Sequence, residues 1–176
     1  IVMELNNAPV SERNLIGKEG TGLNVIFDLV APVFICGLSA VNAGIARAAL
    51  NASVEHAKMR THESAASSIG GYQAIQMYLA EMFIAVDSAS IYINKTARML
   101  DNGHPEALLS VLAAKTLACE TAIKVTGTAM QVCGGIGFTT RLPIERYYRD
   151  GRAGSVMAPT TEVLKTWIGK SLVGLP

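Results

Sequence analysis

Three long stretches in this chain carry helical periodicity, and each far exceeds the dozen or so residues of an ordinary globular helix. The first runs from about Leu23 to Met59. The second covers about Gly71 to Leu100, with Ile75, Leu79, Met82, Val86, Ala89 and Ile93 at three- and four-residue steps on one face. The third spans about Glu106 to Cys133, with Leu109, Leu112, Thr116, Leu117, Cys119, Ile123 and Val132 on or near its buried side. The polar break His62–Gly71 and the turn Asp101-Asn102-Gly103-His104-Pro105 are short, so consecutive helices must run antiparallel. A short helix at about Pro143–Asp150 and a last one at about Thr160–Leu172 complete the pattern, the last with a stripe of Val163, Leu164, Trp167, Ile168 and Leu172. The expected fold is all-α, an up-down four-helix-type bundle.

Local chemistry adds detail. Pro32 sits inside the first helix, where its missing N–H and its ring predict a kink near residues 28–32. After it, Gly37, Ser39, Ala40, Ala43, Gly44, Ala46, Ala48 and Ala49 form a surface of small residues. Such a surface suits close helix packing, or the wall of a pocket or subunit interface. Ile1–Asn7 loosely alternates and reads as a short strand remnant, followed by a connector punctuated by Pro9 and Gly17. A lone strand needs partners, so residues 1–20 are expected to be the end of a preceding β domain and its linker, with 21–176 as the helical bundle. The first residue is not Met, which points to an excised domain.

Half of the residues are apolar and only 16% are charged, against about a quarter charged in an average domain. That surplus predicts large buried faces and subunit contacts. No membrane span is expected, because Asn24, Asp28, Pro32, Asn42 and Arg47 interrupt the first apolar stretch and Glu81, Asp87 and Lys95 the second. A net charge of +1 gives no basic footprint for nucleic acid. The three cysteines, Cys36, Cys119 and Cys133, lack CxxC spacing and read as buried thiols of a cytosolic protein. No signal-peptide pattern opens the chain. His56, His62 and His104 have no ligand spacing, so no metal is expected.

The richest stretch for chemistry is Gln131-Val132-Cys133-Gly134-Gly135-Ile136-Gly137-Phe138. It follows a helix rather than a strand, so it fails the context of a dinucleotide GxGxxG. Glycine at a helix C-terminus is commonly a cap; closely spaced glycines also let backbone N–H groups approach a phosphate. Together with Pro143–Arg152 (PIERYYRDGR) and Met157-Ala158-Pro159-Thr160-Thr161-Glu162, this stretch resembles the C-terminal signature of the acyl-CoA dehydrogenase flavoproteins. Val10–Gly22, Gly44–Leu50, and Gln73-Ala74 with Leu79–Met82 extend the resemblance along nearly the whole chain.

The resemblance implies the C-terminal helical domain of an FAD enzyme that oxidises acyl-CoA at the α,β carbons. It also implies a homo-oligomer, dimer or tetramer, in which this domain helps hold a neighbour's FAD. An electron-accepting flavoprotein partner and a cytoplasmic location (mitochondrial matrix in a eukaryote) follow from the same likeness. Arg60 maps to the family's phosphate contact, Gln131, Gly134 and Gly135 to its adenosine-diphosphate contact, and Thr160, Thr161 and Glu162 to the start of the last helix beside FAD. Arginine's donor fork and a helix N-terminus both suit anions.

Two departures stand out. The run after Arg60, Thr61-His62-Glu63-Ser64, lacks the aromatic that family members place there. More sharply, the chemistry needs a carboxylate within reach of the α proton. The position that often carries Glu is Ala158, and the alternative window Val30–Ile35 holds no acid. Asp28 lies a turn before that window, and Glu162 a turn after Ala158. The catalytic base is therefore unassigned. Rival readings are a flavin-dependent monooxygenase or an inactive homologue on the same fold, and a non-enzymatic helical assembly module.

Overall fold

A computed structural model describes residues 2–62 and 67–175, so Glu63–Ala66 of the polar connector lie outside the described residues. Among the described residues, five helices make the fold. Helix α1 spans Gly22–Met59, α2 Gln73–Asp101, α3 Ala107–Cys133, α4 Ile144–Val156 and α5 Thr161–Leu172. Short 3-10 turns lie at Glu12–Asn14, Ile69–Gly71 and Gly134–Phe138.

The kink expected at Pro32 takes the form of a π-helical turn. Ile26–Val30 is wound wide, and the Ala31 N–H bonds back to the Ile26 carbonyl. Proline cannot donate to the Asp28 carbonyl one turn earlier and its ring crowds that group; widening the ladder is one way a helix absorbs such a fault. Regular α-helix resumes at Ala31 and runs to Met59.

Helix α3 is the axis of the bundle and packs on all four other helices. Its inner surface is built of Ala114, Ala118, Ala122, Val125 and Ala129, all fully buried. Ala46, Ala49 and Leu50 of α1 and Met82 and Val86 of α2 meet it in the largest core cluster. The small-residue surface of α1 thus divides. Ser39, Asn42, Ala43, Ala46 and Ala49 are buried by close packing, while Gly37, Ala40 and Gly44 remain exposed. Ser39 and Ser53 return their hydroxyls to the Ile35 and Ala49 carbonyls, so close packing leaves no orphan hydroxyl there. A second cluster of Ile35, Val111, Leu112 and Leu164 fastens α5 to the bundle. Burying Leu164 completely contributes about 1.5–3 kcal/mol, and a Lys165–Glu120 ion pair ties α5 to α3 at the surface.

Three expectations need correction. No strand occurs among the described residues; residues 2–10 are exposed and unpaired, because the chain offers them no sheet edge. Helix α4 continues past Asp150 to Val156. Gly151 and Gly154 lie within it and serve close approach: a Cβ on Gly151 would stand 3.3 Å from Thr126, and one on Gly154 would overlap Asn42. The stripe on α5 is also narrower than expected, since Leu164 is buried while Val163, Trp167 and Leu172 are exposed. By length and composition alone, Gly22–Met59 and Gln73–Asp101 are also apolar enough to cross a membrane, a test that core helices pass as well. Polar residues within them did not lower the hydropathy enough to exclude that. Both helices nevertheless use one face to build the bundle core against α3.

Candidate functional site

Two cavities collect some of the residues singled out by the sequence, Asp28 and Ala158 in one and Arg60, Gly134 and Gly135 in the other. The first, of about 560 Å³, is apolar. Ile26, Phe27, Val30, Ala31, Phe34 and Ile35 of α1 form one wall, Leu108 and Leu112 of α3 a second, and Ala158, Pro159 and Trp167 a third. The wide turn of α1 also puts Asp28 on this lining, where it is the one acid among the described residues. Ala158 and Asp28, far apart in sequence, therefore face a common cavity. The Ala158–Pro159 peptide is cis.

The segment carrying Ala158 is held from inside the protein. Lys115 of α3 is fully buried. Its Nζ donates to the Met157 carbonyl at 2.9 Å and to the Pro159 carbonyl at 2.6 Å. Burial pushes the Lys115 ammonium below its ordinary value. An amine in the middle of an alanine-rich helix gives no sequence signal of this role.

Beyond Pro159, Thr160 caps α5: its Oγ1 accepts from the Val163 N–H. The Thr161 hydroxyl donates to Glu162 Oε1 at 3.1 Å. Glu162's own backbone N–H, then Thr161, hold its carboxyl below the usual carboxylate range. This helix start already engages several of its free donors internally, and it adjoins the apolar cavity through Ala158 and Pro159.

The second cavity, of about 580 Å³, has a mixed lining, apolar at Ile69, Val132 and Ile136, whose charged side chains are cationic. Arg60 and Arg141, with His56 and His62, line it together with Thr139, Gly134 and Gly135. Arg60 ends α1; its N–H bonds to the His56 carbonyl at 2.9 Å and its own carbonyl accepts from the Ile69 N–H at 2.8 Å. An isolated antiparallel bridge joins Thr61 to Ser68 beside it, so the connector is pinned back on the helix end. Gly134 terminates α3 at φ +62°, ψ −150°. L-residues rarely adopt that conformation, and a Cβ on either Gly134 or Gly135 would meet nothing within 4 Å. The glycines therefore keep the backbone turn bare at the mouth of the cleft. Burial, and secondarily the Arg60 charge, push His56 below its ordinary value. His62 approaches Tyr72 with ring centroids 6.5 Å apart, so the connector carries an aromatic contact despite lacking a Phe after Arg60.

Of the seven expected cofactor residues, Arg60, Gly134 and Gly135 thus share the cationic cleft, while Thr160, Thr161 and Glu162 belong to the helix start beside the apolar cavity. Gln131 is exposed and is not on the lining of either. Sequence reasoning missed His56, His62 and Arg141 in the cleft. His56 was legible in principle, one helical turn before Arg60 on the same face; Arg141 reaches the cleft only through the fold of the loop after α3. Among the described residues no group of three or more His, Cys, Asp or Glu could hold a metal ion.

The sequence and the fold have counterparts among known proteins. Residues 36–173 match the family model described as acyl-CoA dehydrogenase, C-terminal domain. The chain is 33% identical over 168 residues to the cyclohex-1-ene-1-carbonyl-CoA dehydrogenase of Geobacter metallireducens, covering 95% of this chain and 43% of that protein. It is 31% identical over 172 residues to the mitochondrial isobutyryl-CoA dehydrogenase of Dictyostelium discoideum, covering 98% and 40%. A glutaryl-coenzyme A dehydrogenase solved with glutaryl-CoA superposes with a TM-score of 0.89 at 28% identity, covering 98% of this chain and 43% of that one. The chain therefore spans less than half the length of these relatives.

Proposed function

The chain belongs to the acyl-CoA dehydrogenase family, whose C-terminal domain it carries, and on that premise we propose that it serves an FAD-dependent oxidation of acyl-CoA thioesters. Within the whole protein it would contribute one wall of the acyl site, part of the FAD site and an oligomer interface. Residues 2–20 would be the link from a preceding domain.

The observation that carries this reading is the pairing of an apolar cavity with a cationic, glycine-lined cleft in one helical domain. An acyl chain suits the first: its walls are aliphatic and aromatic, and burying each methylene is favourable by about 0.8 kcal/mol. The second fits the anionic end of a dinucleotide. Two guanidiniums and an imidazole pair face it, no acid among the described residues lines it, and Gly134–Gly135 leave space for close approach. FAD, when bound, supplies the two-electron acceptor for the oxidation. The chain's own residues supply the rest. Arg60 and Arg141 would hold phosphate, and Gln131, next in sequence to the lining Val132, would add a contact to the cofactor. Thr160, Thr161 and Glu162 would fix the start of α5 beside the reacting end. Phe27, Phe34 and Trp167 would exclude water from the acyl group.

Asp28 is the group on the apolar lining that can accept an α proton, and it stands in for the carboxylate that Ala158 cannot provide. The exposed apolar side chains of α1 and α2, among them Leu29, Val33, Phe83, Ile84 and Ile91, would be covered by the remaining domains and by a second subunit.

The test is an anaerobic titration of the full-length, flavin-loaded protein with a panel of acyl-CoAs. Bleaching of the oxidised flavin band is expected, and Asp28→Asn should slow it at least about 100-fold, the scale of a lost general base. Flavin that stays oxidised with every acyl-CoA would overturn the reading. A second reading, a different flavin reaction or a lapsed activity on the same fold, rests on Ala158 and the acid-free run 30–35; it would be favoured by that result.

A further inference from the structure

Among the described residues, the largest side chain buried without remainder is a lysine. Lys115 sits in the N-terminal third of α3, a turn from the cavity-lining Leu112, and no carboxylate pairs with it among the described residues. What it has instead is a pair of carbonyls, those of Met157 and Pro159, on either side of Ala158. An unpaired buried ammonium is costly, so its compensation must be local.

The first acceptor belongs to Met157, which ends α4 with its N–H on the Ala153 carbonyl. A helix C-terminus presents unsatisfied carbonyls and partial negative charge, and a cation is favourable there. The second acceptor belongs to Pro159, just before the Thr160 cap of α5. One buried amine thus closes the end of α4 and anchors the entry to α5. The short link between these helices is the third wall of the apolar cavity.

We infer that Lys115 is a positioning residue, whose ammonium sets where Ala158 and Pro159 stand on the acyl cavity and where the Thr160–Glu162 start of α5 is held. The bland alternative is a buried lysine that only adds stability. The two differ in what else moves. Losing a stabilising residue loosens the bundle as a whole. Losing a clamp frees residues 157–163 and disturbs the cavity while α1–α3 stay packed. The inference rests on the proposed function only for the ligand of the cavity.

The experiment compares full-length, flavin-loaded Lys115→Met with Val125→Ala, a core truncation on the same helix in the largest cluster and away from the apolar cavity. Hydrogen exchange is followed in peptides covering 157–163 and 82–93, and octanoyl-CoA binding is measured anaerobically. Lys115→Met should speed exchange in 157–163 by about 10- to 30-fold, as two hydrogen bonds of ordinary net strength would give. Exchange in 82–93 should stay near wild type, and octanoyl-CoA affinity should fall about tenfold or more. Val125→Ala should leave 157–163 and the affinity unchanged relative to its loss of stability. Equal acceleration in both peptides, or unchanged protection of 157–163, overturns the inference. Should Lys115→Met not fold, Lys115→Arg takes its place. Its larger planar head should displace the segment, and wild-type exchange and affinity in that variant overturn the inference equally. Wild-type protein that binds no octanoyl-CoA would count against the proposed function, while the exchange comparison still decides the role of Lys115.

Discussion

Gly154 offers the sharpest quantitative test of the packing that places the site. It lies in α4 against α1, and a Cβ built on it would fall 2.7 Å from Asn42 Cγ, 2.5 Å from Nδ2 and closer still to Oδ1. Asn42 is 1% exposed, and its Nδ2 is committed to the Leu38 carbonyl at 2.9 Å. Its Oδ1 is buried without a hydrogen-bond partner, so the amide is already held by packing. Rotating the amide does not relieve the clash, because all three of its heavy atoms beyond Cβ are too near. Gly154→Ala must therefore push α4 from α1 or expel Asn42. Helix propensity returns about 1 kcal/mol, and overpacking typically costs 1–3 kcal/mol and sometimes more. Three overlapping atoms place this site at the upper end, for a net loss of about 2 kcal/mol. Gly169→Ala is the control: it too lies within a helix, and its Cβ would meet nothing within 4 Å. It should be neutral or stabilising by up to about 1 kcal/mol. Urea unfolding of the full-length variants gives both numbers. In a double-mutant cycle, Asn42→Ala should recover much of the Gly154→Ala loss, since the pair is in contact. A Gly154→Ala protein as stable as wild type would refute the α1–α4 packing, and with it the position of the Met157–Pro159 link.

Further outcomes follow from the cavities and the buried groups. Arg60→Ala and Arg141→Ala should each weaken flavin binding about 10- to 100-fold, the worth of a charge-assisted hydrogen bond; fluorescence titration of the apoprotein with FAD measures it, and unchanged affinity in both would remove the cationic cleft from the cofactor site. His56 is held below its ordinary 6.5 by burial and then by Arg60, so the folded protein prefers the neutral ring. Stability should be full above pH 6.5 and decline as pH falls through the lowered value, and His56→Gln should flatten that slope in unfolding curves. Cys119 and Cys133 are buried and pushed above the ordinary thiol value of 9.0, chiefly by burial. They should resist alkylation at pH 8 until the protein is unfolded, as mass spectrometry of labelled peptides would show. Because only the unfolded thiols ionise readily, their contribution to stability should fall as pH rises above 9.0.

The helices were legible because their cause is local. Three- and four-residue apolar spacing sets the faces of α2 and α3, and Pro32 disturbs its own ladder wherever the chain goes next. Gly134 ends α3 at positive φ for the reason its residue type suggests. The family signature was legible for a different reason, since it preserves residue types at a helix end and a helix start. What lay beyond the sequence involves partners distant along the chain. The helix expected to stop near Asp150 runs on through Gly151 and Gly154, which leave room for Thr126 and Asn42 opposite them. The strand-like run at the N-terminus has the right alternation, but a strand is made by its neighbours and here it has none. Asp28 and Ala158 share a cavity only because a π turn and the α4–α5 link converge on it. Lys115, in the middle of an apolar helix, would be an error by pattern alone. It is accommodated because the carbonyls of Met157 and Pro159, the latter 44 residues away, are carried to it by the packing of α4 and α5 on α3. Sequence by itself determined the helices and their kinship, since those depend on contacts a few residues apart. Tertiary structure alone decided which charges are buried and which residues face one cavity, since those depend on where the helices cross.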